Sequence, residues 1–377
     1  MHRPGPLSEE GVVRLLDRTG ARLDDTEYAS FAQELTPEIL RQMWHDMMVT
    51  RAFDEEATSL QRQGELALWV SSLGQEAAQV GSAYALVDRD YVFPSYREHA
   101  VCLKRGIDLA QVPLMWRGIE HSSWAEGEHN THINTLVIGA HTLHATGFAM
   151  GLDRDGKVGS GDPDRDAAAI CYFGDGATAQ GDTNEALIFA SVFNAPVVFF
   201  CQNNQWAISL PTTVQSRVPL ADRATGVGMP GVRVDGNDVI ASYAVTRAAM
   251  ERARSGGGPT FIEAFTYRMG AHTTSDDPTR YRTSADDDYW RERDPIARLE
   301  TYLRSIDELP DDFIEQSQEE ARQMAIRVRE SVRTAQNPEP MSMFDNVYST
   351  PHATVDSERA WYEAYQASFL DSERGSA

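Results

Sequence analysis

The sequence predicts an α/β protein built on a doubly wound parallel sheet. Two short apolar runs, residues 168–173 and 196–201, have the length and composition of buried strands. A helical stretch from about Thr183 to Phe193 separates them, so strand, helix and strand form one crossover unit. A second unit of the same kind follows later in the chain. Two successive units of this kind are typical of a parallel sheet with helices on both faces.

Before the first crossover unit, the sequence predicts an N-terminal arm, two helices, a short strand and the start of a further helix. Residues 1–35 are acidic and lack periodic apolar positions, which favours an extended or partly disordered arm that lies over a partner. Thr36-Pro37-Glu38 is a helix start, with a hydroxyl cap, a proline and a carboxylate in the first turn. A helix is expected at about 74–87 and a short strand at 91–94. Ser95 to Glu98 is expected to open the next helix.

The remaining elements complete the two layers of helices. Residues 116–137 are irregular, and a helix rich in small residues is expected at about 140–152. The second crossover unit runs from a strand and turn at 231–238, through a helix at about 239–254, to a strand at 260–265. Two amphipathic helices are expected near the C-terminus, at about 310–335 and 354–372.

Composition limits the classes of function. The chain has 377 residues, 41% of them apolar, and a formal net charge of −23. Such a charge argues against binding nucleic acid or an anionic membrane and favours a basic protein partner. Cys102, Cys171 and Cys201 fall on predicted strands or helices and are expected to be buried and reduced. We therefore expect a cytoplasmic protein with no membrane span.

Polar residues follow both strands of the first crossover unit. Gly174, Asp175 and Gly176 come directly after the first strand, and Asn203 and Asn204 follow the second. Both clusters are expected at the carboxyl edge of the sheet, where such folds bind ligands. The glycines allow backbone close to a bulky anion, and the helix N-terminus behind them suits a diphosphate. Because carboxylate and amide oxygens suit Mg²⁺, the residues predict a magnesium diphosphate site.

The same segment resembles a known fingerprint. GDGATAQGDTNEALIFASVFNAPVVFFCQNN, residues 174–204, is similar to the thiamine-diphosphate motif, in which GDG and a final NN are separated by a helix and a strand. Further segments narrow the resemblance to the alpha subunit of the decarboxylating first component of 2-oxo acid dehydrogenase complexes. They are QRQGEL at 61–66, GQEAAQVGSA at 74–83, PSYRE at 94–98, RVDGND at 233–238 and AHTTSDDPTRYR at 271–282.

The resemblance implies a fold, a domain division and a subtype. It covers about residues 36–350, which are expected to form a thiamine-diphosphate-binding domain between the arm at 1–35 and a C-terminal helical tail at 351–377. QNNQWAIS at 202–209 and the stretch around 289–296 are more similar to the branched-chain 2-oxo acid enzyme than to the pyruvate enzymes.

The resemblance also implies roles for single residues. Asp175 and Asn204 match the magnesium ligands, and the backbone carbonyl of Trp206 matches a third. His272 matches the catalytic histidine that lies above the thiazolium ring and aids acyl transfer to lipoamide. Positions that match cofactor-binding residues are Tyr96, Arg97 and Arg223 for the diphosphate, the backbone of Ile138 for the aminopyrimidine, and Gly174, Asp175, Gly176, Ala177, Asn204 and His272.

The implied activity is that of an oxidoreductase of branched-chain amino acid catabolism. Thiamine diphosphate would accept the electrons released when a 2-oxo acid loses carbon dioxide, and the acyl group would pass to lipoyl-lysine of the acyltransferase component. Thiamine enzymes usually hold their cofactor between two doubly wound domains, of which only one is present in this chain. The glutamate that activates the cofactor is therefore expected on a beta subunit, in an alpha2beta2 heterotetramer.

Alternatives remain at several points. The same chemistry on pyruvate, another 2-oxo acid or acetoin is a second hypothesis, and a noncatalytic nucleotide-binding module is a third. Taken singly, an arginine is more often part of a surface ion pair, and a loop histidine often has no catalytic role. Gly147 and Gly151, four residues apart, let a helix pack closely either against a second copy or inside the monomer.

The sequence departs from the family pattern near the expected substrate end. RGIEHSSWAEGEHNTH, residues 117–132, replaces a glycine-rich segment, and His141 stands where relatives commonly carry glutamine. Both changes bear on acyl specificity. His129, His132, His141 and His144 form two pairs spaced by three, and we interpret them as loop and helix-face histidines in preference to a metal site.

Overall fold

The central sheet is parallel, as predicted. The structure, a computed structural model, describes residue 5, residues 7–24 and residues 26–374. The strands of the sheet are β1 (Tyr91–Phe93), β2 (Ala169–Gly174), β3 (Val197–Asn203), β6 (Gly231–Asp235) and β7 (Thr260–Phe265). Their order is β1-β2-β3-β7-β6, and every neighbouring pair is parallel. Two short strands, β4 (Trp206–Ala207) and β5 (Leu210–Pro211), form a separate antiparallel pair.

Helices connect and cover these strands. The α-helices are α1 (Pro37–Arg62), α2 (Glu76–Tyr84), α3 (His99–Lys104), α4 (Pro113–Arg117), α5 (Ala140–Arg154), α6 (Gly181–Val192), α7 (Thr212–Gln215), α8 (Asp222–Val227), α9 (Val239–Arg254), α10 (Ser284–Arg291), α11 (Pro295–Ser305), α12 (Asp311–Thr334) and α13 (Ala353–Arg374). Single 3-10 turns lie at Ala29–Ala32, Glu128–Asn130, Asp175–Ala179, Pro278–Arg280 and Pro340–Phe344.

Helix starts show where local sequence decides the structure and where it does not. The Thr36 hydroxyl accepts a hydrogen bond from the Ile39 N–H at 3.4 Å, which confirms the predicted start of α1. The predicted helix start at Ser95 is wrong, because α3 begins at His99. The carboxylate of Glu98 folds back and accepts the Ser95 N–H at 2.7 Å, so residues 95–98 form a turn.

The alternating side chains of β2 point into two separate cores. Ile170 and Tyr172 pack in a core that includes α1, α2 and α9. Cys171 and Phe173, on the other face of the strand, pack in a core that includes α5, α6 and α8. All four are almost fully buried. Helices therefore cover both faces of the sheet, which confirms the doubly wound α/β class.

The described part of the N-terminal arm packs against the chain's own sheet. The Val13 N–H donates to the Arg233 carbonyl at 2.9 Å, and the Asp235 N–H donates to the Val13 carbonyl at 3.0 Å. The next residues, Leu15 and Leu16, are completely buried. This part of the arm thus covers the edge strand β6 of this same chain.

The chain divides into two compact units, residues 1–333 and residues 334–377. The first contains the sheet, and the second contains α13. Cys102, Cys171 and Cys201 are buried free thiols, as predicted. Within the residues described above, no helix is both long enough and apolar enough to cross a membrane.

Candidate active site

A cavity of about 260 Å³ lies at the carboxyl edge of the sheet. Asp175, from the turn after β2, and Asn204, directly after β3, both line it. The Thr212 hydroxyl lies 3.1 Å from the Asp175 carboxylate and 3.1 Å from the Asn203 side-chain oxygen, so it connects the two clusters. The prediction that the GDG and NN segments meet at one sheet edge is confirmed.

Asp175 is a buried carboxylate with only neutral hydrogen-bond partners. Its exposed fraction is 2%, and it accepts hydrogen bonds from the Gln215 amide at 3.0 Å and from Thr212. Burial raises the pKa of Asp175 above its ordinary value, and these hydrogen bonds lower it only in part. Across the described part of the chain, no lysine or arginine forms an ion pair with it. A buried carboxylate of this kind is stabilised by a bound cation.

The two asparagines have different tasks. The Asn203 amide donates to Glu263 at 2.7 Å, inside a buried network that belongs to the fold. Asn204 lines the cavity, donates to the Gln75 side chain at 3.2 Å and accepts the Trp206 N–H at 3.3 Å. Asn204 and Asp175 thus line the same cavity.

Two glycines keep the cavity wall close to the backbone. A Cβ at Gly176 would lie 2.9 Å from the Cβ of Ala207, which is too close for two carbon atoms. Gly139, just before α5, has a φ of +83°, and a Cβ there would lie 2.9 Å from the Thr183 hydroxyl. A side chain at either glycine would collide with these neighbours, so the backbone that forms the cavity wall would have to shift. The sequence predicted a glycine at 176 for close approach to an anion, and it did not predict the contact with Ala207 or the requirement at Gly139.

Arg97 and His272 meet on the opposite wall. Arg97 is 5% exposed, and its guanidinium donates to the Ser71 carbonyl and, at 2.9 Å, to the His272 carbonyl. The same guanidinium lies 3.3 Å from His272 Nδ1. The ring of Tyr96 packs edge-on to the imidazole, with centroids 6.5 Å apart. The sequence predicted all three residues, and the structure brings them together.

Arg268 is a second cation at the cavity, and the sequence did not predict it. It is completely buried, lines the cavity and donates to the carbonyls of Trp206 at 2.8 Å and Ile208 at 2.7 Å. Its guanidinium lies 3.4 Å from His272 Nδ1. Burial, followed by the positive charge of Arg97, lowers the pKa of Arg268 to about 10. Its position after β7 resembled an ordinary strand end, so no local signal marked it.

The electrostatics of His272 follow from these two arginines. Burial and then Arg97 and Arg268 lower the pKa of the imidazole to about 3. Because both guanidinium groups can only donate, Nδ1 accepts and the ring proton is on Nε2. His272 is therefore neutral at pH 7 and presents an N–H donor. The Asp276 carboxylate accepts the His272 backbone N–H at 2.8 Å and fixes the loop.

Other predicted positions have mixed outcomes. Ile138, Gly174 and Ala177 line the cavity, and a Cβ at Gly174 would meet nothing within 4 Å. The Trp206 carbonyl, matched to a metal ligand, already accepts the hydrogen bond from Arg268. Arg223 is absent from the cavity wall, because its guanidinium donates to the carbonyl of Thr178 beside it.

Sequence reasoning missed several polar residues that support the site. Gln75 lines the cavity beside Asn204, and its side-chain nitrogen has no hydrogen-bond partner among the described residues. Glu98 accepts the Gln202 amide at 2.6 Å, and burial raises its pKa. Gln75 lies in GQEAAQVGSA and Glu98 in PSYRE, two of the segments that carry the family resemblance. The resemblance therefore pointed to these segments, but neither residue was predicted as a site residue.

The four histidines of the divergent region differ in burial and in partners, and the rings of His132 and His144 pack edge-on with centroids 5.9 Å apart. His141 is buried in the cavity wall, whereas His144 is exposed on the same helix. His132 pairs with Glu126 at 2.7 Å. In the part of the chain that the structure describes, no group of three or more histidine, cysteine or acidic side chains is arranged to hold a metal ion.

Taken together, the fold and the site define an α/β protein whose cavity, at the carboxyl edge of a parallel sheet, fits an anion and a cation. Buried Asp175 fits a cation, and the glycine-lined wall with Arg97 and the N-terminus of α6 fits a diphosphate. Residues 45–342 match the dehydrogenase E1 component family, and the chain belongs to that family.

Individual relatives agree with this assignment. The chain is 45% identical over 326 residues to the 3-methyl-2-oxobutanoate dehydrogenase subunit alpha of Mycobacterium tuberculosis, with 86% of each chain covered. It is 40% identical over 297 residues to the pyruvate dehydrogenase E1 component subunit alpha of Staphylococcus epidermidis, with 78% of this chain and 77% of the relative covered. The similarity thus extends over most of both proteins.

Proposed function

We propose that this chain is the alpha subunit of a thiamine-diphosphate-dependent 2-oxo acid dehydrogenase. It decarboxylates a branched-chain 2-oxo acid such as 3-methyl-2-oxobutanoate, with transfer of the acyl group to lipoyl-lysine of the acyltransferase component. The observation that carries the proposal is the convergence of Asp175, Asn204, Arg97 and His272 on one cavity at the sheet edge. The first relative supports the substrate, because its name states that acid.

Pyruvate is the second candidate substrate. The relatives from Staphylococcus that are named as pyruvate dehydrogenase subunits support it, at 39–40% identity. The sequence identity is 45% to the 3-methyl-2-oxobutanoate dehydrogenase subunit and 40% to the pyruvate dehydrogenase subunit, a small difference in favour of the branched-chain acid. Measured rates must therefore decide between the two.

The residues around Asp175 would hold a magnesium ion, which would supply positive charge beside the cofactor's diphosphate. Asp175 supplies a carboxylate and Asn204 an amide oxygen, which are ligand types that Mg²⁺ prefers. The Trp206 carbonyl has one lone pair left beside the bond from Arg268.

The positive groups at the cavity would bind the diphosphate. Arg97 presents a planar, permanently charged group, Tyr96 lies next to it, and Gly174 and Gly176 leave room along the backbone. Arg223 does not line the cavity, but its guanidinium donates to the carbonyls of Thr178 and Gln215. Its role would therefore be to position these two residues. Gln215 in turn donates to Asp175.

His272 would act on the acyl-transfer half of the reaction. Thiamine diphosphate, when bound, supplies the electron sink for decarboxylation. The neutral His272 offers its Nε2–H to developing negative charge, and Arg97 and Arg268 hold the ring with Nδ1 turned towards them. This arrangement orients a proton at a fixed atom and makes the histidine a poor base.

Partner chains complete the site. The glutamate that activates the cofactor is expected on a beta subunit, in an alpha2beta2 heterotetramer. Support for contact with a second alpha subunit comes from α5 and α6, which pack on each other and both leave apolar side chains exposed. These side chains, called here the α5–α6 face, are Leu143, Phe148, Ile188, Phe189, Val192 and Phe193.

Calorimetric titration of the chain co-expressed with its beta subunit tests the proposal. We expect tight thiamine diphosphate binding only with Mg²⁺, and decarboxylation fastest on 3-methyl-2-oxobutanoate among that acid, pyruvate and 2-oxobutanoate. Asp175→Ala should weaken metal-dependent binding by more than about 100-fold, because the only carboxylate of the proposed metal shell is lost. Asp222→Ala, an exposed aspartate at the start of α8, is the matched control.

The outcomes separate the hypotheses. Fastest turnover of pyruvate would replace the branched-chain assignment with the second candidate. Binding of a nucleotide without turnover of any 2-oxo acid would favour the noncatalytic module. An assembled protein that neither binds thiamine diphosphate nor decarboxylates any of the three acids would refute the proposal.

A further inference from the structure

Asp54 is a buried carboxylate that lies outside the cavity. It is on α1, is 3% exposed and accepts hydrogen bonds from one short segment of the chain. Its Oδ1 accepts the Trp69 indole N–H at 2.6 Å, and its Oδ2 accepts the Ser71 hydroxyl at 2.7 Å and the Ser72 N–H at 2.9 Å. Residues 69–73 belong to no helix or strand, so this carboxylate fixes backbone that no regular structure holds.

The same segment holds Arg97. The Arg97 guanidinium donates to the Ser71 carbonyl and, at 2.9 Å, to the His272 carbonyl. Within the described residues, no carboxylate forms an ion pair with Arg97, so backbone carbonyls hold its guanidinium. Ser71 therefore joins two groups, because its hydroxyl binds Asp54 and its carbonyl binds Arg97.

The segment also holds the loop that carries His272. The Trp69 N–H donates to the Thr274 hydroxyl at 3.0 Å, and the Thr274 N–H donates back to the Trp69 carbonyl at 3.0 Å. On the other side of the histidine, the Met269 N–H donates to the Leu73 carbonyl at 3.0 Å. The loop is thus bound to the segment both before and after His272.

We propose that Asp54 positions Arg97 and His272 in the cavity by holding residues 69–73. Asp54 does not line the cavity, so it acts through this segment and is a positioning residue. The inference rests on the proposed function, which gives Arg97 and His272 their tasks at the cofactor. A carboxylate suits the position because its two oxygens accept all the donors at once, whereas an amide would turn its NH2 group towards one of them.

Asp54→Asn tests this role in the chain co-expressed with its beta subunit. The variant keeps the size of the side chain but leaves one donor without an acceptor, so residues 69–73 should shift. Calorimetric titration with thiamine diphosphate and Mg²⁺ should then show binding at least about tenfold weaker than in the wild type, a loss typical of residues that orient the groups of a binding site.

Asp46→Asn separates positioning from plain destabilisation. Asp46 is a buried aspartate of the same helix, and it accepts the Tyr84 hydroxyl at 2.8 Å and the Gln42 amide at 3.0 Å. The change should lower the melting temperature, as Asp54→Asn should, because it also removes an acceptor in front of donors. Affinity for thiamine diphosphate should stay within about twofold of the wild type, since neither hydrogen bond involves residues 69–73.

Ser71→Ala gives a second measurement, which needs no cofactor. It removes one donor to Asp54 and changes no charge. Burial, followed by the positive charge of Arg97, lowers the pKa of His272 to about 3. If the Ser71 carbonyl is held less firmly and Arg97 moves away, the pKa of His272 should rise towards its ordinary value. NMR titration of Cε1-labelled histidine in the assembled, cofactor-free protein measures it.

The results that overturn the role of Asp54 differ from those that overturn the proposed function. Wild-type affinity in an assembled Asp54→Asn variant, or equal weakening in Asp46→Asn, overturns the inference while thiamine diphosphate still binds. An unchanged His272 titration in Ser71→Ala also overturns it, and this measurement decides alone if Asp54→Asn fails to assemble. A wild type that does not bind thiamine diphosphate overturns the proposed function, and the titration then decides the role of Asp54.

Discussion

At the scale of single residues, the site depends on a cluster of cations around one imidazole. Arg97 Nη2 and Arg268 Nη1 lie 3.3 and 3.4 Å from His272 Nδ1. Positive charge on two sides disfavours a proton on the ring, and burial disfavours it further. The pKa of His272 falls to about 3 for these reasons, with burial the largest cause. Removing the charge of either arginine should therefore change the pKa of His272 measurably.

Arg268→Gln should raise the pKa of His272, because one of the two charges that oppose the imidazolium is removed. Burial and Arg97 remain, so the pKa should stay below its ordinary value of about 6.5. NMR titration of Cε1-labelled histidine in the assembled, cofactor-free protein would measure it, with His272→Gln identifying the signal. Arg280→Gln, an exposed arginine of the same loop, is the control. An unchanged His272 titration in Arg268→Gln would contradict the electrostatic account.

At the scale of secondary structure elements, Asp238 joins the N-terminus of α9 to the N-terminal arm. Its Oδ1 accepts the N–H groups of Ile240 at 3.1 Å and Ala241 at 3.0 Å and so caps the helix. Its Oδ2 accepts the N–H groups of Leu15 at 2.7 Å and Leu16 at 2.6 Å. One buried carboxylate thus satisfies four backbone donors, two local and two distant in sequence.

Asp238→Asn should destabilise the assembled protein by about 2–4 kcal/mol, because the amide nitrogen replaces an acceptor in front of backbone donors. The arm should also become more sensitive to trypsin, which limited proteolysis would show. Thr36→Ala removes a cap with one helix partner and no contact to the arm, so it should cost only about 1 kcal/mol without exposing the arm. Equal melting temperatures and equal proteolysis in the two variants would argue against this tethering role.

Asp238 also shows what the sequence can and cannot predict about elements. The helix predicted at about 239–254 is confirmed as α9, and its Asp238 cap is a local interaction. Its contact with Leu15 joins residues more than two hundred positions apart, so no local pattern records it. The same reason explains Arg268, whose carbonyl partners, Trp206 and Ile208, lie about sixty residues away. The wrong helix start at Ser95 has a local cause, because the Glu98 carboxylate three residues on accepts the Ser95 N–H and forms a turn.

The candidate site was predictable where its residues are close in sequence. Gly174, Asp175 and Asn204 end neighbouring strands, so strand order alone brings them together. Arg97 and His272 needed the family resemblance, because their strands and loops are far apart in the chain. The place of His141 in the cavity wall needed coordinates, since burial cannot be read from residue type.

At the scale of the whole molecule, the α5–α6 face bears on how copies of the chain associate. Val192 is 74% exposed and Phe193 50% exposed. On α5, a Cβ at Gly147 or at Gly151 would have no neighbour within 4 Å among the described residues, whereas Ala145 and Ala149 are completely buried. The alanines thus pack inside the monomer and the glycines do not. Apolar side chains beside open glycines favour close contact with another helix outside the chain.

Gly147→Gln should therefore break assembly while it leaves the subunit folded. The new side chain meets nothing within the chain, and replacing a helical glycine should stabilise α5 by about 0.5–1 kcal/mol. Across a close helix contact, however, it would hold the second copy away. Light scattering of the chain co-expressed with its beta subunit should show a mass about half that of the wild-type assembly. Gly226→Gln, at an equally open and exposed position on α8, should keep the full mass. A full-size assembly of Gly147→Gln would show that the contact between alpha subunits lies elsewhere, and a half-size assembly of both variants would show that the effect is not specific to the α5–α6 face.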